Sequence, residues 1–141
     1  MSGGIFPAIH VSRENDLKNA LVLYGIDYIP DHLAREKELK FIGSIVQSCR
    51  NLRSTGSSGF DTCYTASGKT GACIAQTGKI WDVVPCYHLI ISAGGVCSEV
   101  SGTKLVFESN KANYLRNFTY LAAAPDLYAK LLLLYKSAYR L

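Results

Sequence analysis

The carboxylate of Asp82 stands where a helix is expected to begin, and a carboxylate there is a candidate metal ligand. Pro85 suits the first turn of a helix because its missing N–H costs nothing there, and Gly94 suits the left-handed residue that ends one. Asp82 is therefore expected beside unpaired backbone N–H groups, where a phosphate would also be held. A divalent cation normally draws on more than one carboxylate, so capping of the helix is the alternative role of Asp82.

A second candidate site is the run Gly56-Ser57-Ser58-Gly59. Its backbone N–H groups and hydroxyls at a helix start suit an anion or the hydroxyls of a sugar. Either Ser57 or Ser58 is a reasonable N-cap, and an ordinary Gly/Ser turn is the alternative interpretation.

Other catalytic chemistries have less support. The sequence contains no Gly-x-Ser-x-Gly elbow and no Gly-x-x-x-x-Gly-Lys-Ser/Thr loop, which argues against a serine hydrolase and a P-loop nucleotide-binding protein. His88 lies inside an apolar run and is expected to be packed and hydrogen-bonded. The five cysteines form no Cys-x-x-Cys pair and are expected to be reduced, mostly buried thiols and not a zinc or disulfide site.

The composition predicts a globular protein. The chain has 141 residues, 48% of them hydrophobic and 18% charged, and can bury a core of one ordinary domain. No apolar run approaches the length of a membrane span, and the first residues do not resemble a signal peptide. We therefore expect a cytoplasmic protein that does not bind membranes. The net charge of +4 is spread along the chain without a cluster of Lys and Arg, so we also expect no binding to nucleic acid.

The elements that must position these residues alternate along the chain. Apolar runs predict strands at residues 20–26, 72–75 and 120–124, with shorter extended pieces at 10–12, 52–55, 95–100 and 104–107.

Helices are predicted between these strands. One opens at Pro30-Asp31, with an apolar stripe that includes Leu39 and Val46 and a solvated face formed by Arg35, Glu36, Lys37, Glu38 and Lys40. The last opens at Pro125, with Leu127, Leu131, Leu134 and Ala138 turned inward. This alternation predicts one α/β domain over residues 1–141, with helices on both faces of a sheet.

Several short motifs follow one another along the chain. They begin with the segment 9–12, Asp16-Leu17 and Ala20-Leu21-Val22, and continue with Arg53-Ser54-Thr55-Gly56-Ser57-Ser58, Ala66-Ser67-Gly68-Lys69, Trp81-Asp82, Ala93-Gly94-Gly95-Val96 and Ser101-Gly102. In this order they resemble the C-terminal half of the inositol monophosphatase family, which comprises Mg²⁺-dependent, lithium-sensitive sugar-phosphate phosphatases. A Trp-Asp pair followed by Ala-Gly-Gly is the most specific of these signals.

The resemblance implies roles for particular residues. Asp82 matches the family's aspartate that ligates a catalytic Mg²⁺, and Gly56, Ser57 and Ser58 match the turn that contacts the ring hydroxyls of the substrate. It also implies the C-terminal half of an αβαβα sandwich and metal-assisted hydrolysis of a phosphorylated small molecule.

The sequence also departs from the family pattern. The remaining metal ligands, a glutamate and an Asp-Pro-Ile/Leu-Asp-Gly-Thr/Ser motif, belong to the N-terminal half, and no such motif occurs in these residues. Ala75 stands where a glutamate often touches inositol, and Ser92 where a glutamate is common. Phosphate esters in general are therefore expected as substrates, rather than inositol phosphate in particular.

Three hypotheses follow. The first is a phosphatase half that needs the complementary N-terminal half to complete its Mg²⁺ site, and that self-associates through the apolar face which truncation exposes. The second is a degenerate, non-catalytic family member that acts as an interaction or regulatory module. The third is an unrelated α/β binding domain.

Overall fold

The computed structural model describes residues 7–140. Within these residues, five strands and five α-helices follow a 3-10 turn at Leu17–Asn19. Their order is β1 (Leu21–Gly25), α1 (His32–Ser48), β2 (Asn51–Arg53), α2 (Ser58–Ala66), β3 (Ala72–Gly78), α3 (Ile80–Ser92), β4 (Val96–Ser98), α4 (Lys111–Leu115), β5 (Phe118–Ala123) and α5 (Pro125–Tyr139).

The strands form one mixed sheet in the order β2-β1-β3-β5-β4. The first three are parallel, with Val22 of β1 opposite Leu52 on one side and Ala72 on the other. Strand β5 is antiparallel to both of its neighbours. The β3-β5-β4 part of the sheet is thus antiparallel. The β2-β1-β3 part is parallel, so the carboxyl ends of these three strands lie at one edge of the sheet.

Two hydrophobic clusters lie on opposite faces of this sheet. Helices α1 and α5 cover one face, where their Phe41 and Leu127 pack with Val22 of β1. Helices α2 and α3 cover the other, where Val83 packs with Leu23 of the same strand. Successive residues of a strand point to opposite faces of the sheet. Because helices cover both faces, the apolar side chains of these strands are buried on each face. The predicted α/β class, with helices on both faces of a sheet, is confirmed.

Local signals place several helix ends as expected. The Asp31 side chain accepts a hydrogen bond from the Ala34 N–H at 2.9 Å and caps α1, and Pro125 occupies the first turn of α5. Gly94 has φ of +81° directly after α3, the left-handed conformation that favours glycine.

The predicted faces of α1 are partly wrong. Leu39 and Val46, assigned to the apolar stripe, are exposed, whereas Glu38, assigned to the solvated face, is fully buried. Arg35 Nη1 contacts Glu38 Oε2 at 2.8 Å, and the Tyr24 hydroxyl lies 3.4 Å from Glu38 Oε1. A carboxylate can be buried when it is paired and hydrogen-bonded, and periodicity does not reveal such a partner.

Two of the shorter strands are also corrected. Residues 103–108 form no regular structure, although Leu105 is buried and the Phe107 ring packs 5.7 Å from that of Phe118. The alternating apolar residues there serve packing against the α3 side of the sheet rather than pairing at its edge. The segment 10–12 is not a strand either; the Val11 N–H donates to the Ala93 carbonyl oxygen at 3.0 Å, but no strand pairing forms there within the described part of the chain.

Two further sequence interpretations concern histidine and the cysteines. His88 is exposed on α3 and is not packed as expected. Cys73, Cys86 and Cys97 are buried, and burial raises the pKa of the Cys73 thiol to about 12, so that thiol stays protonated and inert near neutral pH. Cys63 is exposed.

No helix between residues 7 and 140 is both long and apolar enough to cross a membrane.

Candidate functional site

A cavity of about 160 Å³ opens at the carboxyl ends of the parallel strands. Helix α1 leaves β1 on one side of the sheet and α2 leaves β2 on the other, so the chain connections diverge at this edge. Ligands of open α/β sheets bind in such crevices. The lining residues come from the ends of β1 and β3, the turn after β2, the starts of α2 and α3, and β5. They are Gly25, Ile26, Asp27, Gly56, Ser57, Ser58, Asp61, Ala75, Thr77, Gly78, Asp82 and Tyr120.

The four residues singled out from the sequence meet in this cavity. Gly56, Ser57 and Ser58 form one wall and Asp82 another, although 24 or more positions separate them along the chain. The structure therefore brings together the predicted residues, while the roles assigned to them stay predictions.

The turn at residues 55–58 is built by hydroxyl groups. Gly56 has φ of +75°, and the Thr55 Oγ1 accepts a hydrogen bond from the Ser57 N–H at 3.2 Å. The Ser57 side chain in turn accepts from the Phe60 N–H at 3.3 Å, which makes Ser57 the N-cap of α2, one of the two residues expected there. The turn and the positive end of the α2 dipole thus face the cavity together.

Asp61 anchors this turn from within α2. Its buried carboxylate accepts a hydrogen bond from the Thr55 hydroxyl at 2.6 Å. Burial raises the pKa of Asp61, and the Thr55 hydrogen bond lowers it by less. Asp61 was missed by sequence analysis, although its position four residues after an N-cap serine places it on the face of α2 that looks back to the turn.

Asp82 is half-buried in the first turn of α3, but α3 starts earlier than expected. The helix begins at Ile80, so Asp82 is its third residue and Pro85 lies inside the helix instead of in the first turn. Lys79 is the N-cap and makes no side-chain cap hydrogen bond. Asp82 therefore does not cap the helix, and its carboxylate stands near the positive end of the dipole, as expected.

Gly78 allows the first turn of α3 to lie against the end of β3. A Cβ at this position would come within 2.5 Å of Val83 Cγ2 and 3.4 Å of the Phe118 carbonyl oxygen. A side chain at Gly78 would therefore require Val83, in the first turn of α3, to shift.

Asp27 and Thr77 also line the cavity and were missed by sequence analysis. Asp27 lies two residues after the end of β1, and the Thr77 hydroxyl near the end of β3 donates a hydrogen bond to its carboxylate. A polar residue placed shortly after a buried parallel strand was the available signal, because such residues meet at one edge of a sheet.

The carboxylates of the cavity do not form a complete metal site. Within residues 7–140, no three side chains of His, Cys, Asp or Glu are placed to hold one metal ion. Asp27 and Asp61 accept hydrogen bonds from Thr77 and Thr55, so Asp82 is the carboxylate of this cavity best placed to act as a ligand. The donor set fits one side of a Mg²⁺ site, to which waters, phosphate and further carboxylates would have to be added.

The raised pKa of Asp61 predicts a specific pH dependence of stability. Its protonated form is favoured in the folded state, so its contribution is fully present at acidic pH and is lost as the pH rises through its folded pKa. Urea unfolding of wild type and Asp61→Asn between pH 4 and pH 7 should show wild type losing stability relative to the variant as the pH rises. Since all other carboxylates cancel in this difference, a difference that stays constant with pH would contradict the prediction.

Comparison with known proteins identifies a family and individual proteins to which this chain is similar. The profile described as the inositol monophosphatase family matches residues 1–136. Inositol-1-monophosphatase ImpA of Mycolicibacterium smegmatis is 29% identical over 99 residues, which cover 70% of this chain and 33% of that protein. Inositol monophosphatase 1 of Solanum lycopersicum is 28% identical over 104 residues, covering 73% of this chain and 38% of the relative.

Solved structures share the fold. The extragenic suppressor protein suhB from Bartonella henselae superposes with a TM-score of 0.77 at 20% identity, over 91% of this chain and 45% of that one. An IMPase from Thermotoga maritima gives a TM-score of 0.73 at 17% identity, over 94% of this chain and 46% of its own. The chain thus spans about half the length of these structures and about a third of the two sequence relatives.

Proposed function

Because this chain belongs to the inositol monophosphatase family, we propose that it supplies the C-terminal half of a Mg²⁺-dependent phosphomonoesterase site. The substrate class is an inositol phosphate or a related sugar or nucleotide phosphate. The observation that carries the proposal is the meeting of Asp82 with the 55–58 turn in one cavity at the carboxyl ends of the parallel strands. Family membership removes the hypothesis of an unrelated binding domain.

Five residues of the cavity have a part in this proposal. Asp82 would hold the metal from the α3 side, and a bound Mg²⁺ would polarise the phosphoryl group and activate water. The backbone N–H groups and hydroxyls of Gly56, Ser57 and Ser58 would orient the organic part of the substrate. Asp61 keeps that turn in place through Thr55.

The missing ligands are proposed to come from a complementary N-terminal half, on another polypeptide or in a longer product of the same gene. The faces of α2 and α3 that point away from the sheet support this. They expose Phe60 and Trp81, 44% and 52% accessible, and enclose an apolar groove of about 160 Å³ that borders Ser58 and Asp82. A partner seated in this groove would reach the candidate metal site directly.

The proposal is tested by reconstitution. The chain is mixed with an N-terminal half that carries the family's Asp-Pro-Ile/Leu-Asp-Gly-Thr/Ser motif, and phosphate release is followed with and without Mg²⁺. Inositol 1-phosphate, fructose 1,6-bisphosphate and 3′-phosphoadenosine 5′-phosphate serve as substrates. We expect release only from the mixture and only with Mg²⁺; no release in any combination would overturn the proposal.

A degenerate, non-catalytic family member is the second candidate. It is favoured by Ala75 in the cavity wall and by the incomplete ligand set of residues 7–140. In that case calorimetry should detect no Mg²⁺ binding even when the complementary half is present. Binding of Mg²⁺ to the mixture, but to neither half alone, would exclude this second function.

The same apolar surface predicts self-association of the chain by itself. Sedimentation should show association that rises with concentration, because uncovered apolar patches associate in water. Phe60→Glu on α2 should weaken it. Leu133→Glu is the matched control, since Leu133 is 68% accessible but lies on α5, on the opposite side of the sheet. A monomer at high concentration, or equal effects of both variants, would contradict the prediction.

A further inference from the structure

The first turn of α3, which carries Asp82, is in contact with the short helix α4. Lys79 is the N-cap of α3, and a lysine side chain has no acceptor with which to cap a helix. Its Nζ instead donates a hydrogen bond at 2.9 Å to the carbonyl oxygen of Leu115, the last residue of α4. The last carbonyl of a helix has no partner within that helix, and Lys79 supplies one.

An aromatic pair joins the same two helices. The rings of Trp81 on α3 and Tyr114 on α4 have centroids 4.9 Å apart and planes inclined by 51°. This separation lies within the range in which aromatic pairs attract one another. Trp81 and Tyr114 are 52% and 58% accessible, so the pair lies at the surface and its loss opens no cavity in the core.

Helix α4 is anchored independently of α3. The Asn110 side chain accepts a hydrogen bond from the Asn113 N–H at 2.8 Å and caps the start of α4. Directly after the end of α4, Arg116 pairs with Glu99 at 2.9 Å and lies over the ring of Phe118 in β5, 3.9 Å from its centroid. The first turn of α3 therefore rests against a helix whose own position is fixed from both ends.

We propose that the contact between α3 and α4 sets the position of the Asp82 carboxylate for Mg²⁺. Lys79, Trp81 and Tyr114 are then positioning residues, which act on the metal through the backbone of α3. This inference rests on the proposed function, in which Asp82 is a metal ligand. The Asp82 and Val83 N–H groups both donate to the Lys79 carbonyl oxygen at 2.9 Å, so contacts made by residues 79 and 81 act directly on the turn that carries Asp82.

The size of the expected effect follows from the exposure of the aromatic pair. Groups that orient a metal ligand commonly change metal affinity by roughly 10–100-fold. Tyr114→Ala removes the ring contact but leaves the Lys79 hydrogen bond in place, so we expect the lower end, about ten-fold. Alanine favours a helix and Tyr114 is exposed, so the free energy of unfolding should hardly change.

The test compares wild type with Tyr114→Ala, Tyr114→Phe and Tyr139→Ala. Tyr114→Phe keeps the ring and should behave as wild type. Tyr139→Ala is the matched control, because the Tyr139 ring also stacks on another aromatic ring, that of Tyr135, with centroids 4.2 Å apart. Tyr139 lies on α5, however, on the opposite side of the sheet from α3.

Two quantities report the position of the α3 turn. In the chain alone, amide hydrogen exchange at Asp82 and Val83 measures opening of this turn, and it should be about five-fold faster in Tyr114→Ala only. In the chain mixed with a saturating amount of the complementary half, calorimetry measures the Kd for Mg²⁺, which should rise about ten-fold in the same variant. Phosphate release from inositol 1-phosphate is followed in parallel.

The outcomes separate this inference from the proposed function. Faster exchange and weaker Mg²⁺ binding in Tyr114→Ala, without phosphate release by the wild-type mixture, support the positioning inference and overturn the phosphatase. Mg²⁺-dependent release with exchange or Kd unchanged in Tyr114→Ala, or changed equally in Tyr139→Ala, supports the phosphatase and overturns the inference. If the wild-type mixture neither binds Mg²⁺ nor releases phosphate, both are wrong.

Discussion

Asp82→Asn is expected to lower Mg²⁺-dependent phosphate release by the reconstituted halves by about a thousand-fold or more. Mg²⁺ prefers anionic, hard oxygen ligands, and a neutral amide neither balances its charge nor binds it comparably. Asp82 is the half-buried carboxylate on the α3 wall of the cavity, and neighbouring Asp61 already accepts a hydrogen bond from Thr55. Little activity should therefore survive when Asp82 loses its charge. Initial rates at saturating Mg²⁺ measure this.

Asp126→Asn is the matched control for this experiment. Asp126 occupies the first turn of α5 as Asp82 occupies that of α3, but it lies outside the candidate cavity. Each substitution removes a favourable interaction with a helix dipole worth about 0.3–1 kcal/mol. Similar stabilities with a loss of activity only in Asp82→Asn would support the ligand role. If Asp82→Asn stays active in a reconstituted system that depends on Mg²⁺, Asp82 is a helix-stabilising residue and not a ligand.

Arg35→Ala is expected to lower the free energy of unfolding by about 3 kcal/mol. The substitution leaves the Glu38 carboxylate fully buried, with the Tyr24 hydroxyl at 3.4 Å as its remaining partner. Breaking a buried ion pair from one side costs about 3–5 kcal/mol, and the lower end applies because the Arg35 side chain is 31% accessible. Urea or thermal unfolding measures the loss.

A second substitution separates charge burial from lost packing. Adding Glu38→Leu to Arg35→Ala removes the unpaired charge and should recover a large part of the stability, because an apolar side chain can replace a buried ion pair. Lys40→Ala is the control. The ion pair of Lys40 with Glu36 lies on the same helix, but both of its side chains are exposed, so the free energy of unfolding should hardly change. Equal losses in Arg35→Ala and Lys40→Ala, or a double variant no better than the single one, would contradict the argument.

The local features of the candidate site could be predicted from the sequence. Gly94 ends α3 in the left-handed conformation, and Ser57 caps α2, because both effects involve only residues within one turn of the chain. The position of Asp82 near a helix start was predicted, but the start itself was placed too late, since Pro85 was taken as the first-turn signal. Proline is tolerated inside α3 here, and a local pattern could not show this.

The faces of α1 could not be predicted in the same way. Periodicity assigned Glu38 to the solvent because charged residues usually lie there. Its burial depends on Tyr24, 14 positions earlier in a strand, and on Arg35 one turn away. Such a pair is visible only once β1 and α1 are packed together.

The sequence by itself determined the four longer helices and the main strands of this protein, its membership of the inositol monophosphatase family, and which residues are candidate ligands; the short helix α4 was not predicted. These follow from short-range conformational preferences and from motifs in fixed order. Only the tertiary structure decided that Asp82 and the 55–58 turn share a cavity, and that Asp27 and Thr77 line it with them. The reason is physical: parallel pairing of β1 with β2 and β3 brings to one edge strand ends that are distant along the chain.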